Sequence, residues 1–222
     1  MAGRISELTA LSGGLALTDL FEALDVSDTA LGAAGSNRKA LMSDLVTLIQ
    51  GNGFPKTLVN SSTADQGAGF SSDTYLTNSN ISIPSGYPVV GTKYKLTVAL
   101  SKTAAGTAAP VLSVRIGTAG TTADTAILTF TFGAGSAAAD NGILDVFAHF
   151  RTVGSGTSAV LVGVSSIRNV LASTGLTNAT KVRQNTSSGF NSTTANLIIG
   201  ASWNGGTSAS HTVQLVRAEL ML

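Results

Sequence analysis

The sequence predicts a mainly β protein, an antiparallel jelly-roll-like β-sandwich preceded by a small N-terminal hairpin and helix module. Three observations lead there. Beyond residue 54, apolar and polar residues alternate over several stretches, the pattern of strands with one buried face. Turns rich in Gly, Ser, Thr and Ala divide these stretches, and the 222-residue chain holds 25 glycines. No helical pattern intervenes, whereas parallel strands would need helical crossovers, so antiparallel pairing is expected.

At the N-terminus, Leu20 to Val26 reads as a strand, Ser27 to Asn37 as a turn region, and Arg38 to Met42 as a returning strand. Ser43 and Asp44 then supply a cap and a negative charge for a short helix over Leu45 to Ile49, which Gly51-Asn52-Gly53 ends. A start at Ser36 or Asn37 would make that helix longer, with Leu41 and Leu45 on one face, and both readings stay open. So short a module buries too little surface to stand alone and must pack on the body, a sister chain or another protein. Gly51 to Pro55 marks the border, giving expected domains of residues 1–53 and 54–222.

In the body, Tyr94, Leu96, Val98 and Leu100 alternate with Lys93, Lys95, Thr97 and Ala99, the clearest strand of the chain. Leu112-Val114-Ile116 and Leu128-Phe130-Phe132 repeat the period, and further strands are expected at Ile143–Val153, Ala159–Ile167, Asn196–Trp203 and Thr212–Leu220. About eight strands suit a jelly roll first, with an immunoglobulin-like sandwich as the competitor. Phe130, Phe132, Phe147 and Phe150 are expected in its core. Trp203, beside Asn204-Gly205-Gly206, is read as packing at the rim, with stacking on a sugar as the functional alternative.

Function classes narrow by composition. The absence of cysteine removes disulfides and thiolate metal sites. Thirteen Lys and Arg against twelve Asp and Glu leave no global basic field for nucleic acid. No apolar run reaches the ~18 residues of a membrane span, and the start lacks the apolar stretch of a secretory signal. Five Asn-x-Ser/Thr triplets, at Asn60, Asn80, Asn178, Asn185 and Asn191, follow from the abundance of those residues. Charge is uneven: residues 1–53 carry six acids and three bases, a balance of −3, and the remainder carries ten bases and six acids, a balance of +4.

No catalytic constellation emerges. His211 reads as an exposed turn residue, and His149 shares a strand face with Phe147, Arg151 and Asp145, where an ion pair or an interface contact explains it. Asp124 and Asp140 fall in turn-like stretches where Asp bonds local backbone. No carboxylate pair, calcium loop or phosphate cradle is nominated, so no enzyme activity, catalytic residue, metal or cofactor is expected.

Residues 4–49 resemble a short N-terminal module of structural proteins of tailed bacteriophages. The likeness rests on Ile5-Ser6-Glu7-Leu8-Thr9-Ala10-Leu11, on Thr18 to Val26 and on Arg38-Lys39 through Leu45. A weaker one, over Phe70 to Leu76, Ser82-Ile83-Pro84, Tyr94 to Gly106 and Val213 to Leu220, is similar to β-sandwich domains of phage tail-fibre and virion-surface proteins. The resemblance implies a homotrimer of the virion, assembled in the host cytoplasm, whose N-terminal segment docks on a capsid or tail protein through Ile5, Leu8, Leu11, Leu20, Phe21, Leu41 and Leu45. A capsid decoration or head-fibre protein is the first expectation. A short tail fibre or receptor-binding adaptor that recognises a host surface glycan, with Trp203 as a contact, is the alternative; neither nucleic acid nor membrane insertion is implied.

Overall fold

The computed structural model describes residues 20–25, 36–41 and 56–222, apart from 85, 173, 179 and 208. The chain divides into two units, Met1–Lys56 and Thr57–Leu222. In the first, β1 (Leu20–Asp25) pairs antiparallel with β2 (Ser36–Leu41), Leu20 standing opposite Leu41 and Asp25 opposite Ser36. Because Ser36–Leu41 is a strand, the longer helix starting at Ser36 or Asn37 is excluded. The short helix expected over Leu45 to Ile49 lies outside the described residues.

The second unit contains β3 (Thr57–Ser62), β4 (Gln66–Gly69), β5 (Thr74–Tyr75), β6 (Ile81–Ser82), β7 (Lys93–Lys102), β8 (Val111–Gly117) and β9 (Thr125–Thr131). It continues with β10 (Asp140–Thr152), β11 (Val160–Asn169), β12 (Val182–Thr186), β13 (Ile198–Asn204) and β14 (His211–Met221). These strands form two antiparallel sheets. The larger runs β12-β11-β10-β7-β14-β3, with β4 also on β14; the smaller runs β5-β13-β8-β9, with β6 also on β13.

The pairings are nested. β8 pairs with β9, β7 with β10, the β5 and β6 segments with β13, and the β3 and β4 segments with β14. That is the pattern of one long antiparallel hairpin rolled into two layers, the jelly roll, and it differs from the strand order of an immunoglobulin sandwich. β11 and β12 extend the larger sheet beyond β10.

Alternation decides which side chains fill the space between the layers. Tyr94, Leu96, Val98 and Leu100 of β7 are buried, as are Leu112, Val114 and Ile116 of β8 and Leu128 and Phe130 of β9 with Phe132 just beyond it. β10 contributes Leu144, Val146, Ala148 and Phe150, and β14 contributes Val213, Val216, Ala218 and Leu220. On β14 the inward parity changes across a bulge between Val213 and Leu215. Gly163 lets the layers approach: a Cβ there would stand 2.7 Å from Leu128 Cδ1 and 3.0 Å from Phe130 Cζ.

One expected core residue is not there. Phe147 has the opposite parity to Phe150 on β10 and is 42% exposed on the outer face of the larger sheet, whereas Phe130, Phe132 and Phe150 are buried. β12 was not legible as a strand because all five residues are exposed and lack periodicity. Besides its backbone pairing with β11 it is held by side chains: Arg183 Nε donates to the Thr131 carbonyl and Asn185 Nδ2 to the Thr129 carbonyl, at 3.0 Å in the latter case. These bonds tie the edge of one sheet to the edge of the other and leave less open strand edge.

Turn chemistry follows the expected local use of Asp. The Asp124 carboxylate accepts from the backbone N–H groups of Ala119 (2.9 Å) and Gly120 (2.7 Å) in the β8–β9 turn, where Gly120 has φ +64°. Asp140 does more, as it accepts from Asn141, Leu171 and Leu176 N–H and from Asn169 Nδ2, so one carboxylate gathers the start of β10 and the segment after β11.

Candidate functional site

The outer face of the larger sheet is the surface whose chemistry stands out. Its register builds cross-strand rows. One runs Leu215, Ala99, Ile143, Arg168; the next Arg217, Thr97, Asp145, Ser166, Val182; a third Val59, Glu219, Lys95, Phe147, Val164, Gln184; a fourth Met221, Lys93, His149, Val162, Thr186. Neighbours within a row interact directly across strands.

Exposed apolar side chains stand in two of these rows, Leu215 and Ile143 in the first and the cross-strand neighbours Phe147 and Val164 in the third, with Arg217, Thr97 and Asp145 between them. Ile143 is 39% exposed, Phe147 42%, Val164 39% and Leu215 36%. Five charged side chains among them are paired within the sheet, and Lys93 has no ion partner among the described residues. Lys95 Nζ lies 3.6 Å from Glu219, Arg217 Nε donates to Glu219 at 2.6 Å, and Arg168 Nη2 donates to Asp145 at 2.6 Å, with Thr97 Oγ1 donating to the same carboxylate at 2.9 Å. The hydrogen bond from Arg217 holds the Glu219 carboxyl below its ordinary pKa, against partial burial and with help from Lys95. Asp145 takes Arg168 and Thr97 as partners, so it is not the ion-pair partner of His149 that the sequence suggested. His149 faces outward, and burial together with the Lys93 charge lowers its pKa.

The residues expected to anchor the chain are placed only in part. Leu20 and Phe21 lie on β1 and Leu41 on β2, with Leu20 opposite Leu41 and Phe21 opposite Ala40. Ile5, Leu8, Leu11 and Leu45 lie outside the described residues.

Trp203 is corrected outright. It is 1% exposed, its ring centroid stands 6.3 Å from that of Phe132 and 5.8 Å from that of His211, and its indole N–H donates to His211 Nδ1 at 2.9 Å. No sugar ring can reach it, and it belongs to the core rather than the rim. His211 is likewise buried rather than an exposed turn residue, and burial first, then the Lys102 charge, lowers its pKa to about 4.

Among the described residues no group of three or more His, Asp or Glu side chains gathers as a metal site, and no helix is long and apolar enough to cross a membrane. The face carries exposed apolar side chains in two rows with paired charges between them. Phe147 was misread from sequence although its signal was present, since it cannot share an inward face with Phe150 three residues away on one strand.

In class, the fold is a jelly-roll β-sandwich with an extended outer sheet. No family model matches the chain, and no curated protein matches it.

Proposed function

We propose that this chain is a non-enzymatic structural subunit of a tailed-phage virion, a trimeric decoration, cement or head-fibre protein. Its N-terminal segment docks on a capsid or tail protein, and its jelly-roll body associates with sister copies through the outer face of the larger sheet. The observation that carries the reading is the pair Phe147 and Val164, exposed as direct cross-strand neighbours on β10 and β11. Exposed apolar residues scattered singly need no explanation, but large ones paired across strands among polar residues favour an interaction surface. Glu219 and Asp145 already hold Arg217, Lys95 and Arg168, so the charges beside these apolar side chains are paired within the sheet. Three copies of the face meeting about a common axis can cover the Phe147 and Val164 pair.

The likeness of residues 4–49 to phage virion modules supports the anchoring part, as does the acidic balance of that segment against a basic body. Removing residues 1–53 is expected to leave a folded body that no longer joins particles. The check is to express the truncated chain during particle assembly and quantify it on purified particles. Incorporation equal to that of the full chain would remove the anchoring role.

A further inference from the structure

A cleft of about 520 Å³ opens where the segment before β7 meets the β10–β11 turn and the residues leading into β13. That size falls within the range of small-molecule sites. Its floor is apolar, made by Pro84, Pro88 and the half-buried Tyr87, which packs against the core. Its rim is made by Thr193, Thr194 and Asn196, all exposed. No side chain lining it is charged.

The rim is held in place. Ser192 N–H donates to the Gly154 carbonyl at 2.9 Å, and Gly154 N–H returns a bond to Ser192 Oγ at 2.9 Å. Asn191 Oδ1 accepts from both Thr193 N–H (2.9 Å) and Thr193 Oγ1 (2.8 Å), and Ile83 N–H donates to the Leu197 carbonyl at 2.7 Å. Asn196 adopts a left-handed backbone at φ +57°, a conformation Asn tolerates better than most residues. Among the described residues, nothing in the protein bonds to the Tyr87 hydroxyl, the Thr194 hydroxyl or the Asn196 amide. Three sets of neutral donors and acceptors therefore stand free around an apolar floor on a fixed frame.

We infer that this cleft binds a neutral carbohydrate. A pyranose ring offers an apolar C–H face to the Tyr87 and proline floor and a rim of hydroxyls that both donate and accept, matching hydroxyl and amide groups. A carboxylated or sulfated sugar would bring a charge into a cleft with no countercharge and would lose hydration without compensation. The inference is independent of self-association: a monomer could bind the sugar, and a trimer could lack the site.

The test uses the full chain against immobilised neutral oligosaccharides ending in glucose, galactose or mannose, with sialylated and uronate-bearing glycans alongside. Binding confined to neutral glycans is expected. Tyr87→Ala should weaken it about tenfold, the loss expected for one stacking face. Asn196→Gly keeps the left-handed backbone while removing the amide and should weaken it about fivefold. Thr194→Val, on an exposed side chain, should weaken it with unchanged thermal unfolding, which separates lost contact from lost fold. The inference is overturned by absence of neutral-glycan binding at concentrations up to about 10 mM, by preference for acidic glycans, or by neutral binding that neither Asn196→Gly nor Thr194→Val alters.

Discussion

Trp203→Ala should destabilise the body by about 3–5 kcal/mol, the usual cost of emptying a large aromatic site in a packed core. Trp203 is 1% exposed, packs on Phe132 and uses its only polar atom on His211. The variant would therefore leave both a cavity and a buried imidazole nitrogen without its donor. A domain stable by about 5–15 kcal/mol would lose a large part of its margin, measurable by urea unfolding.

The same pair makes stability depend on pH. His211 Nδ1 accepts the indole N–H, so the folded state holds the ring neutral, with its pKa lowered to about 4. The unfolded chain takes up a proton near 6.5, so it binds more protons than the folded chain between those values, and stability falls as pH drops from about 6.5 to about 4. The loss amounts to at most about 3 kcal/mol, complete below pH 4. His211→Asn, whose carbonyl can accept the indole N–H without titrating, should remove that slope above pH 4.

Asp140→Ala is expected to cost about 3–5 kcal/mol, as when one member of a satisfied buried charge network is removed. Three backbone N–H groups, those of Asn141, Leu171 and Leu176, and the Asn169 amide would lose their acceptor. Burial pushes the Asp140 carboxyl up, but the hydrogen bonds from Asn169, Leu176, Leu171 and Asn141 outweigh it and leave the pKa lowered. Nearby, the Lys102 ammonium donates to the carbonyls of Ala105 (2.8 Å) and Ser136 (2.6 Å), and Lys181 donates to Asn169 Oδ1 at 2.6 Å. Hydrogen exchange should show the segment between β11 and β12 opening first in the variant, since its Leu171 and Leu176 N–H groups lose the acceptor that ties them to β10. Asp140→Asn, which keeps one acceptor oxygen, should cost about half as much.

The sandwich was legible where a strand has one wet and one dry face. In β7 the period of two is unbroken over Tyr94, Leu96, Val98 and Leu100, because every second side chain enters the core. The short edge segments β3 to β6 were not legible, since Thr57–Ser62 and Gln66–Gly69 are held by backbone pairing to β14 and bury little. β12 escaped notice for the same reason, its attachment coming from backbone pairing with β11 and from Arg183 and Asn185 rather than apolar contact.

Long-range space, too, is invisible to a pattern. Trp203 and His211 flank a glycine-rich stretch and read as a rim residue and an exposed turn residue, yet a Cβ at Gly205 would stand 2.5 Å from His211 Nδ1, so that glycine is what admits the imidazole beneath the turn. Of the outer face of the larger sheet, the alternation was readable but the meeting of its apolar side chains was not. Phe147 and Val164 sit in strands whose other residues fill the core, and only the pairing of β10 with β11 brings the two together.

Self-association through that face is the central claim, and the mass of the full chain in solution tests it most directly. Measured by native mass spectrometry or sedimentation at about 50 µM, the protein should have three times the 22.3 kDa mass of the chain, and Phe147→Glu should shift it to one chain while the strand signal in circular dichroism stays unchanged. A monodisperse monomer for the unaltered chain, or a Phe147→Glu variant that remains a trimer, would contradict it.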